Sequence, residues 1–114
     1  MEEGIPCKQV DVSDEFDNSV DRIYAYGLET FGYFQAERYD RQILQSIATL
    51  STYYTFYPEC RHLATLSQMY RNIILDSHLI IYRITTARIE VLDIVHAASS
   101  IRRIRNVRKI KLKT

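Results

Sequence analysis

The 114-residue chain has no tryptophan, three glycines, two prolines and two cysteines. So few backbone breakers leave no material for a long flexible linker, so one domain is expected rather than two. No apolar stretch approaches the roughly 20 residues that a membrane-spanning helix needs, and no membrane partner is expected. Met1-Glu2-Glu3-Gly4 is acidic where a secretory signal would be basic, so the expected setting is the cytoplasm. Cys7 and Cys60 lie far apart without a CxxC spacing. In a reducing compartment two such residues act as small apolar side chains rather than as a disulfide or metal site. No phosphate loop, nucleotide fingerprint, metal-ligand spacing or serine-hydrolase elbow occurs, and no cofactor is expected.

Positive charge is scarce in the first 101 residues and concentrated after them. Arg102, Arg103, Arg105, Arg108, Lys109, Lys111 and Lys113 put seven positive charges and no negative one into residues 102–114. The preceding residues hold eight basic and fourteen acidic side chains. This asymmetry speaks to partners rather than to fold. Residues 1–101 read as the folded domain, and 102–114 as a basic tail that seeks an acidic surface. Ile101, Ile104, Val107 (or Arg108) and Ile110 form a narrow helical stripe in that tail. An isolated helix of this length is marginal, so the tail is expected to order only on a partner, and its removal to weaken partner binding and salt dependence more than folding.

The pattern along the chain is that of an α+β protein. Lys8 to Val12 alternates weakly, as a first or edge strand does. Ser13 stands at a helix N-cap position, with Asp14, Glu15 and Asp17 at the positive end of the helix dipole. Phe16, Val20, Ile23, Gly27 and Phe31 mark one helical face, and Gly32 ends the helix. A second helix follows, with Ala36, Tyr39, Ile43, Ile47, Leu50 and Tyr54 as its stripe, and it stops before Pro58. So short a connection makes the pair an antiparallel helical hairpin. Met69 to Leu75, His78 to Thr85 and Arg88 to Val95 then read as a three-stranded antiparallel meander. Ile73-Ile74-Leu75 and Leu79-Ile80-Ile81-Tyr82 are apolar on both faces, whereas a sheet covered on one side alternates. The helical hairpin covers one face. The C-terminal segment, a second copy or a bound partner must cover the other.

Strand, helical hairpin, three strands resembles the RelE/ParE toxin superfamily. Three stretches carry the likeness, over about residues 8 to 101. They are Ala36-Glu37-Arg38-Tyr39 with the later Tyr57-Pro58-Glu59, then Tyr70-Arg71 through Ser77-His78-Leu79-Ile80-Ile81-Tyr82-Arg83-Ile84, and Ile89 to His96. The middle stretch is similar to the ParE branch and its plasmid-stabilisation relatives. The resemblance implies a toxin neutralised by a cognate antitoxin whose disordered segment folds on binding, alone or in a hetero-oligomer, with a homodimer as a further state. ParE-branch toxins are associated with inhibition of DNA gyrase, whereas RelE-branch toxins cut messenger RNA on the ribosome. A third reading is a non-toxic member that only binds its antitoxin.

If the protein were a nuclease, the resemblance would assign the phosphate to Arg71, Arg83 and His96, taken to lie near one end of the sheet. Arginine offers a fixed double donor to phosphate, and histidine can move a proton near neutral pH. No glutamate, lysine or tyrosine completes an acid–base set after His96, where Ala97-Ala98-Ser99-Ser100 follow. The structural alternatives are cross-strand pairs of Arg71 and Arg83 with Glu90 or Asp93, and a histidine bonded at a strand end. The expected function is therefore binding. Arg71, Tyr82, Arg83, His96, Arg102, Arg103 and Arg105 are the candidate contacts to target or antitoxin, with a surplus among the nine tyrosines as interface.

Overall fold

The computed structural model describes residues 6–112. Met1 to Gly4 and Lys113, both used above, lie outside the described residues. The order is β1 (Val10–Val12), α1 (Asp14–Phe31), α2 (Tyr33–Tyr53), β2 (Tyr70–Ile74), β3 (His78–Ile84), β4 (Ile89–His96) and α3 (Ile101–Asn106). Arg61–Leu63 and Val107–Lys109 are single 3-10 turns. The strand order is β1-β4-β3-β2. β2, β3 and β4 form the expected antiparallel meander, and β1 adds parallel to β4. No described helix is long and apolar enough to cross a membrane.

α1 starts where its cap requires. The buried Ser13 hydroxyl accepts the Phe16 N–H at 2.9 Å and donates to the Leu92 carbonyl, so one residue both caps the helix and ties it to β4. Gly32 alone separates α1 from α2. It has φ +92° and ψ 172°, a conformation open essentially to glycine and distinct from a left-handed helical cap. Near the hairpin's closed end Gly27 meets Ala36, and a Cβ on Gly27 would lie 3.3 Å from that of Ala36. Only a small residue permits this approach.

The helices cover one face of the sheet. Phe16, Ile43, Leu50 and Tyr54 pack against Ile73, Ile80, Tyr82, Ile89, Val91 and Ile94. Leu44, next to Ile43 in α2, is exposed. A β-bulge between β3 and β4 shifts the alternation: Ile81 pairs with Asp93, whereas Tyr82 pairs with Val91. Val91 and Ile94 therefore both face the helices although three residues apart, and Leu92 and Val95 both face the other way.

That second face is covered by the chain's own C-terminus. Ile104 and Val107 are buried with Ile81, Leu92, Val95, Cys60 and Leu63, and Ile110 and Leu112 pack at the edge. The segment expected to order only on a partner thus has tertiary support that an isolated helix lacks. Ser100 caps α3 by accepting the Arg103 N–H at 3.1 Å. The stripe holds except at Ile101, which is exposed. Cys60 is a buried free thiol whose pKa burial raises, while Cys7 is exposed rather than core.

Candidate functional site

The strand register settles where the sequence-derived basic residues stand. Tyr70 pairs with Arg83 and Arg71 with Tyr82, at one end of the sheet. His78 pairs with His96 at the other. β3 runs five residues from His78 to Arg83, which is about 17 Å of strand. The expectation that Arg71, Arg83 and His96 share one end is therefore corrected. In a meander the last residues of β4 return to the first residues of β3, not to its last. Side-chain direction separates the arginines as well. Arg71 shares the helix-side face with Tyr82, and Arg83 shares the opposite face with Tyr70.

Each of these groups also has structural bonds. Arg71 donates to the carbonyls of Thr55, Tyr57 and Gln68 at 2.9–3.1 Å, and so pins the loop between α2 and β2. Among the described residues it takes no acidic partner. Arg83 does pair with Glu90, at 2.7 Å, and it donates to the carbonyls of Arg108 and Ile110. Glu90 also receives Arg88, which reaches Asp11 at 2.9 Å, so one arginine bridges two carboxylates that face each other across β1 and β4. Tyr82 is fully buried, and its hydroxyl donates to the Tyr54 carbonyl at 2.6 Å. Its place among direct contact residues is corrected: it is a core side chain.

At the far end of the sheet His96 is exposed and its Nδ1 accepts the Ala98 N–H at 3.0 Å. His78 packs edge-on against it, with ring centroids 5.4 Å apart. The Nδ1 of His78 lies 2.7 Å from the Tyr39 hydroxyl. Burial, then the neighbouring His96, holds the His78 pKa below its ordinary value. The pair is a packed contact between β3, β4 and α2. Sequence reasoning missed it, because only the register brings two histidines eighteen positions apart side by side.

The basic surface lies on α3 and the turn after it. Arg103 is committed, reaching the buried Asp93 carboxylate at 3.4 Å. Asp93 also accepts the Ser19 hydroxyl at 2.7 Å, so α1, β4 and α3 meet at one charge. Arg102, Arg105, Arg108 and Lys109 are exposed, and Arg61 joins them from the first 3-10 turn. None of these five has an ion pair among the described residues. Arg61, His62, Tyr70, Arg105 and Arg108 line an open groove of about 410 Å³. Arg61 and His62 entered no sequence-level candidate set, since they approach the tail only through the fold. The groove can hold an extended acidic segment by charge-assisted hydrogen bonds. Among the described residues no cluster of histidine, cysteine and carboxylate side chains is arranged to hold a metal.

Comparison with known proteins agrees with this architecture. The fold matches a chain from a structure described as the chromosomal ParDE TA system from P. aeruginosa, with a TM-score of 0.66. The match covers 79% of this chain and 96% of that one at 14% identity, a level at which the fold alone is shared. No curated protein matches the sequence. The family model for the ParE toxin of type II toxin–antitoxin systems, parDE, matches residues 10–101. The match takes in β1, both hairpin helices and the whole meander, and by it the chain belongs to the ParE toxin family.

Proposed function

We propose that this toxin acts by binding, that its target is DNA gyrase, and that a cognate acidic antitoxin holds it inactive in the cytoplasm. The observation that carries the reading is the surface on α3 and its flanking turns. Arg61, Arg102, Arg105 and Arg108 face solvent without ion pairs among the described residues. Four guanidinium groups on one side of a domain whose first 101 residues carry net negative charge favour an acidic protein segment. A disordered antitoxin segment that folds onto this groove would neutralise it.

The ribonuclease reading draws no support from the geometry. Phosphodiester cleavage needs a proton acceptor, a proton donor and charge stabilisation around one phosphate. Arg71, Arg83 and His96 stand on opposite faces or at opposite ends of the sheet, and each is engaged in structural hydrogen bonds. Gyrase as target follows from the ParE branch rather than from any residue of this chain.

Induced expression in a bacterial host tests the toxin reading. Growth is expected to arrest, and co-expression of a short acidic protein, if one is encoded in the neighbouring reading frame, is expected to restore it. Unimpaired growth contradicts toxicity, and arrest that the neighbouring protein leaves unchanged contradicts the antitoxin assignment.

A further inference from the structure

The closed end of the helical hairpin carries a second surface, of opposite character to the basic groove. A cavity of about 170 Å³ opens between α1, α2 and the turn joining β2 to β3. Drug-sized ligands need about 300–1,000 Å³, so this space suits one side chain. Four of its lining residues are aromatic: Tyr24, Tyr26, Phe31 and Tyr39. Tyr26 and Phe31 meet edge to face at 6.3 Å and remain 62% and 57% exposed, so their ring faces are open to an incoming group.

Two carboxylates, Asp40 and Asp76, complete the lining, and no lysine, arginine or histidine belongs to it. Neither carboxylate has an ion-pair partner among the described residues. The Asp40 pKa is raised by burial and then by the like charges of Glu37 and Asp21, the behaviour of an anion that lacks a counter-charge. Aromatic faces attract cations through their quadrupole, and carboxylates supply the opposite charge. An apolar floor between close-packed helices suits an aliphatic stem. The side chain with an aliphatic stem and a flat, weakly hydrated cationic head that stacks on rings is arginine.

We propose that this cavity is a docking site for an arginine side chain presented by a segment of a partner protein. The exposed Tyr33 and Phe34, 5.5 Å apart at the same turn, extend the surface for the apolar residues flanking that arginine. The site is independent of the basic groove and of the gyrase reading.

The test is a nuclear magnetic resonance titration of the complete chain with a capped peptide carrying one arginine between leucines. The control peptide carries citrulline instead, which keeps the shape and removes the charge. The arginine peptide is expected to shift the amides around Gly27, Asp40 and Asp76, and to bind about tenfold more tightly than the citrulline peptide. Asp40→Asn with Asp76→Asn should abolish that preference, and Tyr26→Ala should weaken it. Glu15→Gln with Asp17→Asn makes the same change in charge at the other end of α1 and should leave the preference intact. Unshifted melting of the Asp40→Asn, Asp76→Asn protein shows that it folds. Equal affinity for both peptides, shifts confined to other surfaces, or no binding of the arginine peptide would overturn the proposal.

Discussion

Arg83, on the last turn-proximal stretch of β3, donates to the carbonyl of Ile110 at 3.1 Å and so clamps the C-terminal segment onto the sheet. The same guanidinium holds Glu90 at 2.7 Å, with both side chains largely buried. Arg83→Met should remove the clamp while keeping the stem. Glu90 retains Arg88, so no carboxylate is left unpaired. The expected cost is about 2 kcal/mol, less than for a pair with no second partner. Urea unfolding reads the loss of stability, and limited proteolysis after residue 100 reads the release of the segment.

Ser13 supports two elements at once, and Ser13→Ala removes both bonds. The Phe16 N–H loses its cap and the Leu92 carbonyl its donor, in a position that is 2% exposed. A destabilisation of about 1–2 kcal/mol is expected. Ser13→Asp should keep the cap yet gain nothing, because a buried carboxylate facing the Leu92 carbonyl has no proton to donate. Equal stability of wild type and the alanine variant in urea would contradict the double role.

His78 gives the fold a pH dependence. Its folded-state pKa is lowered by burial and then by His96, so the unfolded chain binds the proton more readily. Stability from the neutral ring is complete above the ordinary histidine pKa of about 6.5 and is lost as pH falls through the lower folded value. Protonation puts a hydrogen on both ring nitrogens, so at the 2.7 Å contact with Tyr39 the hydroxyl oxygen can then only accept. His78→Gln should show a smaller loss of urea midpoint between neutral and mildly acidic pH than wild type. An identical loss in both proteins would place the titration elsewhere.

The basic surface calls for side-chain substitution rather than truncation. Removing residues 102–114 would uncover Ile81, Leu92 and Val95, so truncation would cost folding as well as binding. Arg102→Gln, Arg105→Gln and Arg108→Gln together leave the buried Ile104 and Val107 in place. Stability should change by no more than about 0.5 kcal/mol, as at exposed sites generally. Affinity for the acidic antitoxin should fall and lose most of its salt dependence, since charges beyond the Debye length of about 8 Å are screened at physiological ionic strength. Calorimetric titration at low and physiological salt reads both. Unchanged affinity and salt slope would place the antitoxin on another surface.

Much of this fold is written in local pattern. Ser13 with its acidic first turn, the stripe from Ala36 to Tyr54 and the strands flanking Asp76-Ser77 and Thr86-Ala87 all stand where periodicity puts them. The two-sided apolar strands correctly demand a second cover, and the tail's own stripe supplies it. The geometry of the candidate site was not legible, because it depends on long-range register. Arg71 and Arg83 lie on consecutive strands, yet a one-residue offset in pairing sends them to opposite faces. His96 meets His78 only because β4 runs back along β3. The bulge opposite Ile81, which turns Asp93 toward Ser19 and Arg103, has no glycine to announce it.

We propose that this ParE-family toxin inhibits by binding gyrase. A supercoiling assay with purified gyrase and relaxed plasmid tests it most directly. Micromolar toxin should block supercoiling, and prior addition of the antitoxin should restore it. Full supercoiling in the presence of micromolar toxin would contradict the account.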